Sequence, residues 1–292
     1  MFEGCYVAMV TEFKGGRLDV DGVRSLAERL MDGGVNGLVP VGCTGEAATL
    51  GVEERAEVIR AVLEARGDSS SVKVIPGTGT NATDSTIELT QMAMDLGADG
   101  AMLITPYYNK PTQGGLKKHY ETVAGKVNIP IVLYNVPGRT GVNMLPDTVH
   151  ELAAIDNIVA IKEASGSVDQ VSRIVRSTRI TVLSGDDSLT LPMMAVGARG
   201  VVSVAGNVAP REVADMVNTF LAGDAEEARR IHLRLLPLFH VLFVETNPSP
   251  VKAALKLMGL GSGELRLPLI PISGESEGKV RAVLGGLGFI GG

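Results

Sequence analysis

Only two cysteines, Cys5 and Cys43, occur in 292 residues, and two cannot build a disulfide framework. A reducing compartment, the cytoplasm, is the expected setting. Positive charge is not in surplus: 27 Lys and Arg against 33 Asp and Glu leave a net charge of -6. Nucleic acid is therefore not an expected partner, because phosphate recognition needs a basic footprint. No apolar run approaches the roughly 18 residues of a membrane span. The opening Met1-Phe2-Glu3-Gly4-Cys5-Tyr6 lacks the basic and apolar regions of a signal peptide. The four histidines, at positions 119, 150, 232 and 240, show no ligand spacing, so no metal is expected. Gly77-Thr78-Gly79 lacks the third glycine of a dinucleotide fingerprint.

What is present is a regular alternation. Short, nearly continuous apolar runs fall at 5–10, 37–41, 72–75, 101–104, 129–134, 158–161, 180–183 and 200–204. Such runs suit strands of a parallel sheet covered on both faces. They start roughly 20–35 residues apart, the length of a βα unit. Helical spacing lies between them, as at 21–33 with Val23, Leu26, Ala27 and Leu30, and at 83–96; both segments stop near glycine. Eight strands with intervening helices predict an α/β fold, a closed (β/α)8 TIM barrel. After the eighth run the segments 210–221, 225–244 and 250–258 are helical in pattern, 264–271 is interrupted by proline, and 277–284 suits a last helix. The expected organisation is a barrel over 1–224 and a C-terminal, mainly helical domain over 225–292.

In such a barrel, chemistry sits at the C-terminal ends of the strands. Polar, glycine-rich or aromatic clusters of this chain fall there. Lys162 closes the run Ile158-Val159-Ala160-Ile161 and precedes Glu163-Ala164-Ser165-Gly166. An isolated strand-end lysine more often snorkels to solvent. A buried one has its pKa lowered by desolvation and becomes a nucleophile toward carbonyls. Tyr134 ends the neighbouring run at a matching position and is suited to relay protons in imine formation. Gly42-Cys43-Thr44-Gly45-Glu46 has the form of a strand-to-helix turn. Its N–H groups and the Thr44 hydroxyl suit a small carboxylate, or Thr44 simply caps a helix. Arg139 lies in a loop bounded by glycine and proline; it suits a second carboxylate or is a solvated charge. Asp186-Asp187 suits a cation or, more readily, a helix cap.

Taken together the segments GCTGEAATL from Gly42, GTGTNAT from Gly77, TPYYNKPTQ from Thr105, YNVPGRTGV from Tyr134, IKEASG from Ile161, SGDD from Ser184, GVVSVAGNVAP from Gly200 and NPSPVKAAL from Asn247 closely resemble the dihydrodipicolinate synthase family. That family belongs to the pyruvate-dependent class I aldolases, with N-acetylneuraminate lyase among its wider relatives. The resemblance spans nearly the whole chain. It implies condensation of pyruvate with L-aspartate 4-semialdehyde to 4-hydroxy-tetrahydrodipicolinate, in the diaminopimelate route to lysine, with no metal or organic cofactor. Lys162 would form the imine and Tyr134 would donate and accept protons. Thr44 would bind the pyruvate carboxylate, the Val202 carbonyl would line the pocket, and Arg139 would bind the carboxylate of the semialdehyde. Tyr108 would reach into a neighbouring subunit and join its proton relay, in a homo-oligomer expected to be a tetramer built as a dimer of dimers. Another aldolase of the family, acting on N-acetylneuraminate or a 2-keto-3-deoxy sugar acid, would share Lys162 and Tyr134 but would not need Arg139 or Tyr108. A non-catalytic keto-acid sensor is the more distant alternative.

Two departures from the family pattern carry expectations. The first of two threonines after the glycine is here Cys43, and a thiol is a poorer hydrogen-bond donor with a larger atom. A weaker or rearranged relay is expected. Where lysine-inhibited relatives carry two histidines this chain has Val52 and Arg55, and Ser85 stands where an effector-site glutamate does, although Asn81 and Tyr107 remain. Lysine feedback is expected to be weak or absent.

Overall fold

Each of the eight apolar runs forms a strand: Gly4–Ala8, Gly37–Val39, Lys73–Val74, Ala101–Ile104, Ile131–Asn135, Ile158–Glu163, Thr181–Ser184 and Gly200–Ser203. The computed structural model describes residues 2–68 and 71–291; Met1 and Gly292, the outer ends of the expected domains, lie outside the described residues. The strands are parallel and follow chain order, with the first paired to the eighth through Gly4 and Gly200. The third and fourth meet at a parallel bridge between Gly77 and Met102. There the Met102 N–H donates to the Pro76 carbonyl at 2.8 Å and the Asp99 N–H to the Val74 carbonyl at 3.0 Å. The sheet thus closes on itself as a TIM barrel, with no free edge.

A helix follows each strand: Val20–Asp32, Val52–Arg66, Thr83–Asp95, Gln113–Ala124, Pro146–Leu152, Val168–Ser177, Thr190–Ala195 and Pro210–Leu221. Local chemistry sets their ends. In the first, Asp19 accepts from the Gly22 N–H at 3.0 Å, a cap worth about 1 kcal/mol; Val23, Leu26, Ala27 and Leu30 are buried at helical spacing. Strand residues alternate between two cores. Val7, Leu133, Ile161, Val182 and Val201 pack outward against the helices, while Tyr6, Val132, Ala160, Leu183 and Val202 fill the barrel interior. Both faces are dry, which is why the runs read as continuously apolar.

The strand boundaries differ from expectation at functional points. The sixth strand runs two residues further, so Lys162 and Glu163 belong to it and not to a loop. Their backbones stay paired with Tyr134 and Asn135 on one side and with Leu183 and Ser184 on the other. The Glu163 carboxylate is buried but accepts from Asn135, Ser165 and Gln170, so its polarity does not end the strand. The fifth strand starts at Ile131 because Pro130 has no N–H to offer a ladder. A short hairpin, Phe13–Lys14 with Arg17–Leu18, was not expected. Its turn is Gly15-Gly16, both at positive φ, a two-residue hairpin signal legible in the sequence.

Beyond residue 224 lie Ala225–Val241, Ser249–Leu257 and Gly274–Leu287, all helical. The first packs on Pro210–Leu221, and the third on both of the others. Among the described residues no helix is long and apolar enough to cross a membrane.

Candidate active site

Parallel pairing puts Tyr134 directly beside Lys162. Alternation turns both side chains inward, because Leu133 and Ile161, one residue before them, pack outward. The Lys162 Nζ lies 4.3 Å from the centroid of the Tyr134 ring, and the residue is only 5% exposed. Glycine makes room for the arm: a Cβ at Gly185 would stand 3.0 Å from Lys162 Cε. Burial lowers the Lys162 pKa from 10.5 to about 8; Cys43 and Asp187 pull it up and Arg139 pushes it down, all more weakly. At pH 8 the neutral fraction is roughly a hundredfold above that of an ordinary lysine. The lone pair appears as pH rises, so addition of a carbonyl compound to Lys162 should speed up about tenfold per pH unit below 8 and level off above it. Stopped-flow rates of adduct formation between pH 6 and 10 check this, and a flat profile contradicts it.

Tyr134 is buried, and desolvation first, then the neighbouring Cys43, holds its phenol well above the ordinary value. It is therefore a neutral hydroxyl at any working pH, able to donate as well as accept. The Cys43 side chain lies beside it, and both line one cavity. Cys43 belongs to a turn, as expected, but the turn leads into a short 3-10 segment before the next α-helix. The chain leaves the second strand at Val39, takes left-handed conformations at Val41 (φ 50°) and Glu46 (φ 54°), and makes a short 3-10 turn at Ala47–Thr49 before the next helix. Non-glycine residues in that region are held there only when their surroundings insist. Thr44 caps nothing; its buried hydroxyl accepts from Asn247 Nδ2 at 3.0 Å. The Asn247 carbonyl accepts from Arg139 at 3.0 Å, and its Oδ1 is buried without a protein partner. Asn247 thus bridges two candidate carboxylate binders. Its NPSP segment was legible, its role was not.

A cavity of about 350 Å³ opens above this group, lined among others by Cys43, Tyr134, Arg139, Tyr107 and Asn247. Lys162, Thr44 and Val202 are buried. Val202 shares the interior cluster with Tyr134. Arg139 is exposed on the short helix Pro137–Thr140. Tyr108 stands apart, 90% exposed at φ 72°. The Gly77-Thr78-Gly79 segment is glycine-rich for space: a Cβ on Gly77 would meet the Val41 carbonyl at 2.6 Å, and one on Gly79 the Ile104 nitrogen at 2.4 Å. Arg55 borders the cavity and donates to the Ala47 and Leu50 carbonyls. Asp186 accepts from the Ser188 and Leu189 N–H groups. Asp187 accepts from the Ser203 hydroxyl and the Val204 and Ala205 N–H groups. Their acceptor capacity goes to the two loops, and among the described residues no group of three or more His, Cys, Asp or Glu is placed to hold a metal ion.

Residues 1–286 match the model of the dihydrodipicolinate synthetase family. The chain belongs to that family. A 4-hydroxy-tetrahydrodipicolinate synthase of Methanothrix thermoacetophila is 54% identical over 288 residues, covering 97% of this chain and 96% of the relative. Another, of Geotalea uraniireducens, is 52% identical over 292 residues, covering 99% and 100%. The crystal structure of dihydrodipicolinate synthase from Thermotoga maritima superposes with a TM-score of 0.97 at 44% identity, covering 99% of this chain and all of that one. The geometry brings together a desolvated amine and a protonated phenol in register, beside a cavity bordered by a strained turn and an arginine.

Proposed function

We propose that this member of the dihydrodipicolinate synthetase family condenses pyruvate with L-aspartate 4-semialdehyde to 4-hydroxy-tetrahydrodipicolinate, as a lyase of the class I aldolase type in lysine biosynthesis. The observation that carries the reading is the buried, depressed Lys162 amine packed on Tyr134. The neutral amine adds to the ketone of pyruvate to give a carbinolamine, and Tyr134 protonates its hydroxyl, which leaves as water to give the imine. The resulting imine is an electron sink, so the methyl group loses a proton and becomes a nucleophilic enamine. Its carbon attacks the semialdehyde, and the amine of the semialdehyde then displaces Lys162 as the ring closes. This sequence calls for no metal or organic cofactor.

The turn residue Thr44 and neighbouring N–H groups hold the pyruvate carboxylate, beside the Val202 carbonyl. Arg139 holds the carboxylate of the semialdehyde, with the open Asn247 Oδ1 beside it as an acceptor for a substrate N–H. Cys43 and Tyr108 complete the proton relay, Tyr108 from a second subunit; its exposure supports a covered position in an assembly. We take that assembly to be a tetramer, each chain a barrel over 1–224 with a helical domain over 225–292, in the cytoplasm. One solved relative, 43% identical, is a monomeric variant, so the barrel alone does not dictate assembly.

Borohydride reduction in the presence of pyruvate, followed by peptide mass mapping, tests the reading. A pyruvyl adduct on Lys162, together with turnover of L-aspartate 4-semialdehyde from an acceptor panel, is expected. Turnover of a sugar acid instead, or an adduct without turnover, overturns it. Submillimolar lysine added to the same assay should leave the rate close to its uninhibited value.

A further inference from the structure

The turn that carries Cys43 and Thr44 rests on a buried ion pair. Lys252 Nζ donates to Glu46 Oε1 at 2.7 Å, and the two side chains are 0% and 1% exposed. The same ammonium donates to the Thr11 carbonyl at 2.7 Å and lies 4.4 Å from the Phe13 ring centroid. The other carboxylate oxygen of Glu46 accepts from the Arg266 N–H at 3.0 Å. Thr11 in turn donates its hydroxyl to the Gly45 carbonyl at 2.7 Å. These contacts converge on the last two residues of the turn. Lys252 and Arg266 come from the C-terminal segment, as does Asn247, which holds Thr44.

A buried ion pair is a poor way to gain stability, because desolvation offsets the attraction and well-packed apolar residues often do as well. What it supplies is direction. Glu46 is a non-glycine residue at φ 54°, and such a conformation persists only where fixed partners over-determine it. Its own N–H donates to the Cys43 carbonyl, and the next N–H to the Gly42 carbonyl, both at 3.2 Å. Moving the Glu46 carboxylate therefore moves Cys43 and Thr44.

We propose that the Lys252–Glu46 pair is a positioning device for the reaction: it locks the 42–46 turn in the conformation that meets the pyruvate carboxylate and the Tyr134 hydroxyl. This rests on the reading of that turn as the pyruvate site. The test uses the double variant Glu46→Gln, Lys252→Met, which removes both charges and leaves neither unpaired. Its circular dichroism and melting temperature should stay near wild type. The pyruvate concentration that half-saturates borohydride trapping should rise at least roughly tenfold, or about 1.4 kcal/mol. The pH midpoint of trapping should not move, because Lys162 is untouched. A folded double variant with wild-type half-saturation overturns the proposal while leaving the pyruvate reading intact; wild-type protein that traps no pyruvate overturns both. A second measurement needs no variant. Hydrogen exchange of the wild type should find the Glu46 and Ala47 amides already slow without pyruvate. Fast exchange that slows only when pyruvate is added would mean the pair does not pre-form the turn, and would overturn the proposal whatever the double variant does.

Discussion

Lys162→Met should give a protein that traps no pyruvate under borohydride and yet melts at a higher temperature than the wild type. The loss of trapping is complete because, among the described residues, the other buried lysine, Lys252, is held by Glu46 and not beside Tyr134. The gain in stability follows from linkage. The Lys162 pKa is about 8 in the folded chain against 10.5 as its ordinary value. Between those values the unfolded chain binds more protons, so wild-type stability rises with pH through that window. Below pH 8 both states are protonated and the folded state carries the whole penalty, about 3 kcal/mol from the 1.36 kcal/mol per pKa unit. Loss of the ammonium–Tyr134 contact opposes this by about 1–2 kcal/mol. The net gain at pH 7 is then about 1–2 kcal/mol, a few degrees for a chain of this size. It should shrink as pH rises toward 10.5. Melting curves at pH 7 and pH 10 decide: a variant less stable at pH 7, or a difference that does not fall with pH, contradicts the account. A reactive side chain held at the expense of stability is a common arrangement in active sites.

Tyr134→Phe should lower turnover by roughly 10²–10⁴-fold, the usual contribution of a placed acid–base group. Removing one hydroxyl should destabilise the fold by no more than about 1 kcal/mol. A steady-state assay beside a melting curve separates the two effects, and turnover within threefold of wild type would remove Tyr134 from the mechanism. Cys43→Thr is the graded companion. A hydroxyl in place of the thiol restores a better donor beside the Tyr134 phenol, so the rate should rise. If it is unchanged or falls, the thiol is no handicap to the relay. The phenol is kept neutral by burial, so both variants should show the Lys162-controlled rise of rate toward pH 8.

Much of this site was legible in the chain. The run Ile158-Val159-Ala160-Ile161 is apolar because both faces of that strand are covered, and a lysine just after it stood out for that reason. Tyr134 was legible as its neighbour because it closes the neighbouring run at a matching position, and the parallel register pairs them directly. Thr44 and Arg139 were legible as residue types in suitable loops. Other features had no local signal. Lys252 falls within an ordinary helix, Ser249–Leu257, and nothing in its neighbours announces that its ammonium is fully buried. Its partner Glu46 lies 206 positions away. The left-handed bend at Val41 and Glu46 was hidden too, since neither residue favours it and only packing imposes it. Tyr108 illustrates the limit from the other side: its exposure is a property of the single chain, and its proposed role needs a second one.

The sequence by itself determined the strands and helices and the chemical types available at the strand ends. Those depend on apolar periodicity and on neighbours a few residues away. Only the tertiary structure decided which way each side chain of the sixth strand points, how dry Lys162 is, and which distant cation sits under Glu46. These depend on barrel closure and on contacts between residues far apart in the chain. Desolvation, which turns an ordinary lysine into a nucleophile, arises only once those contacts exclude water.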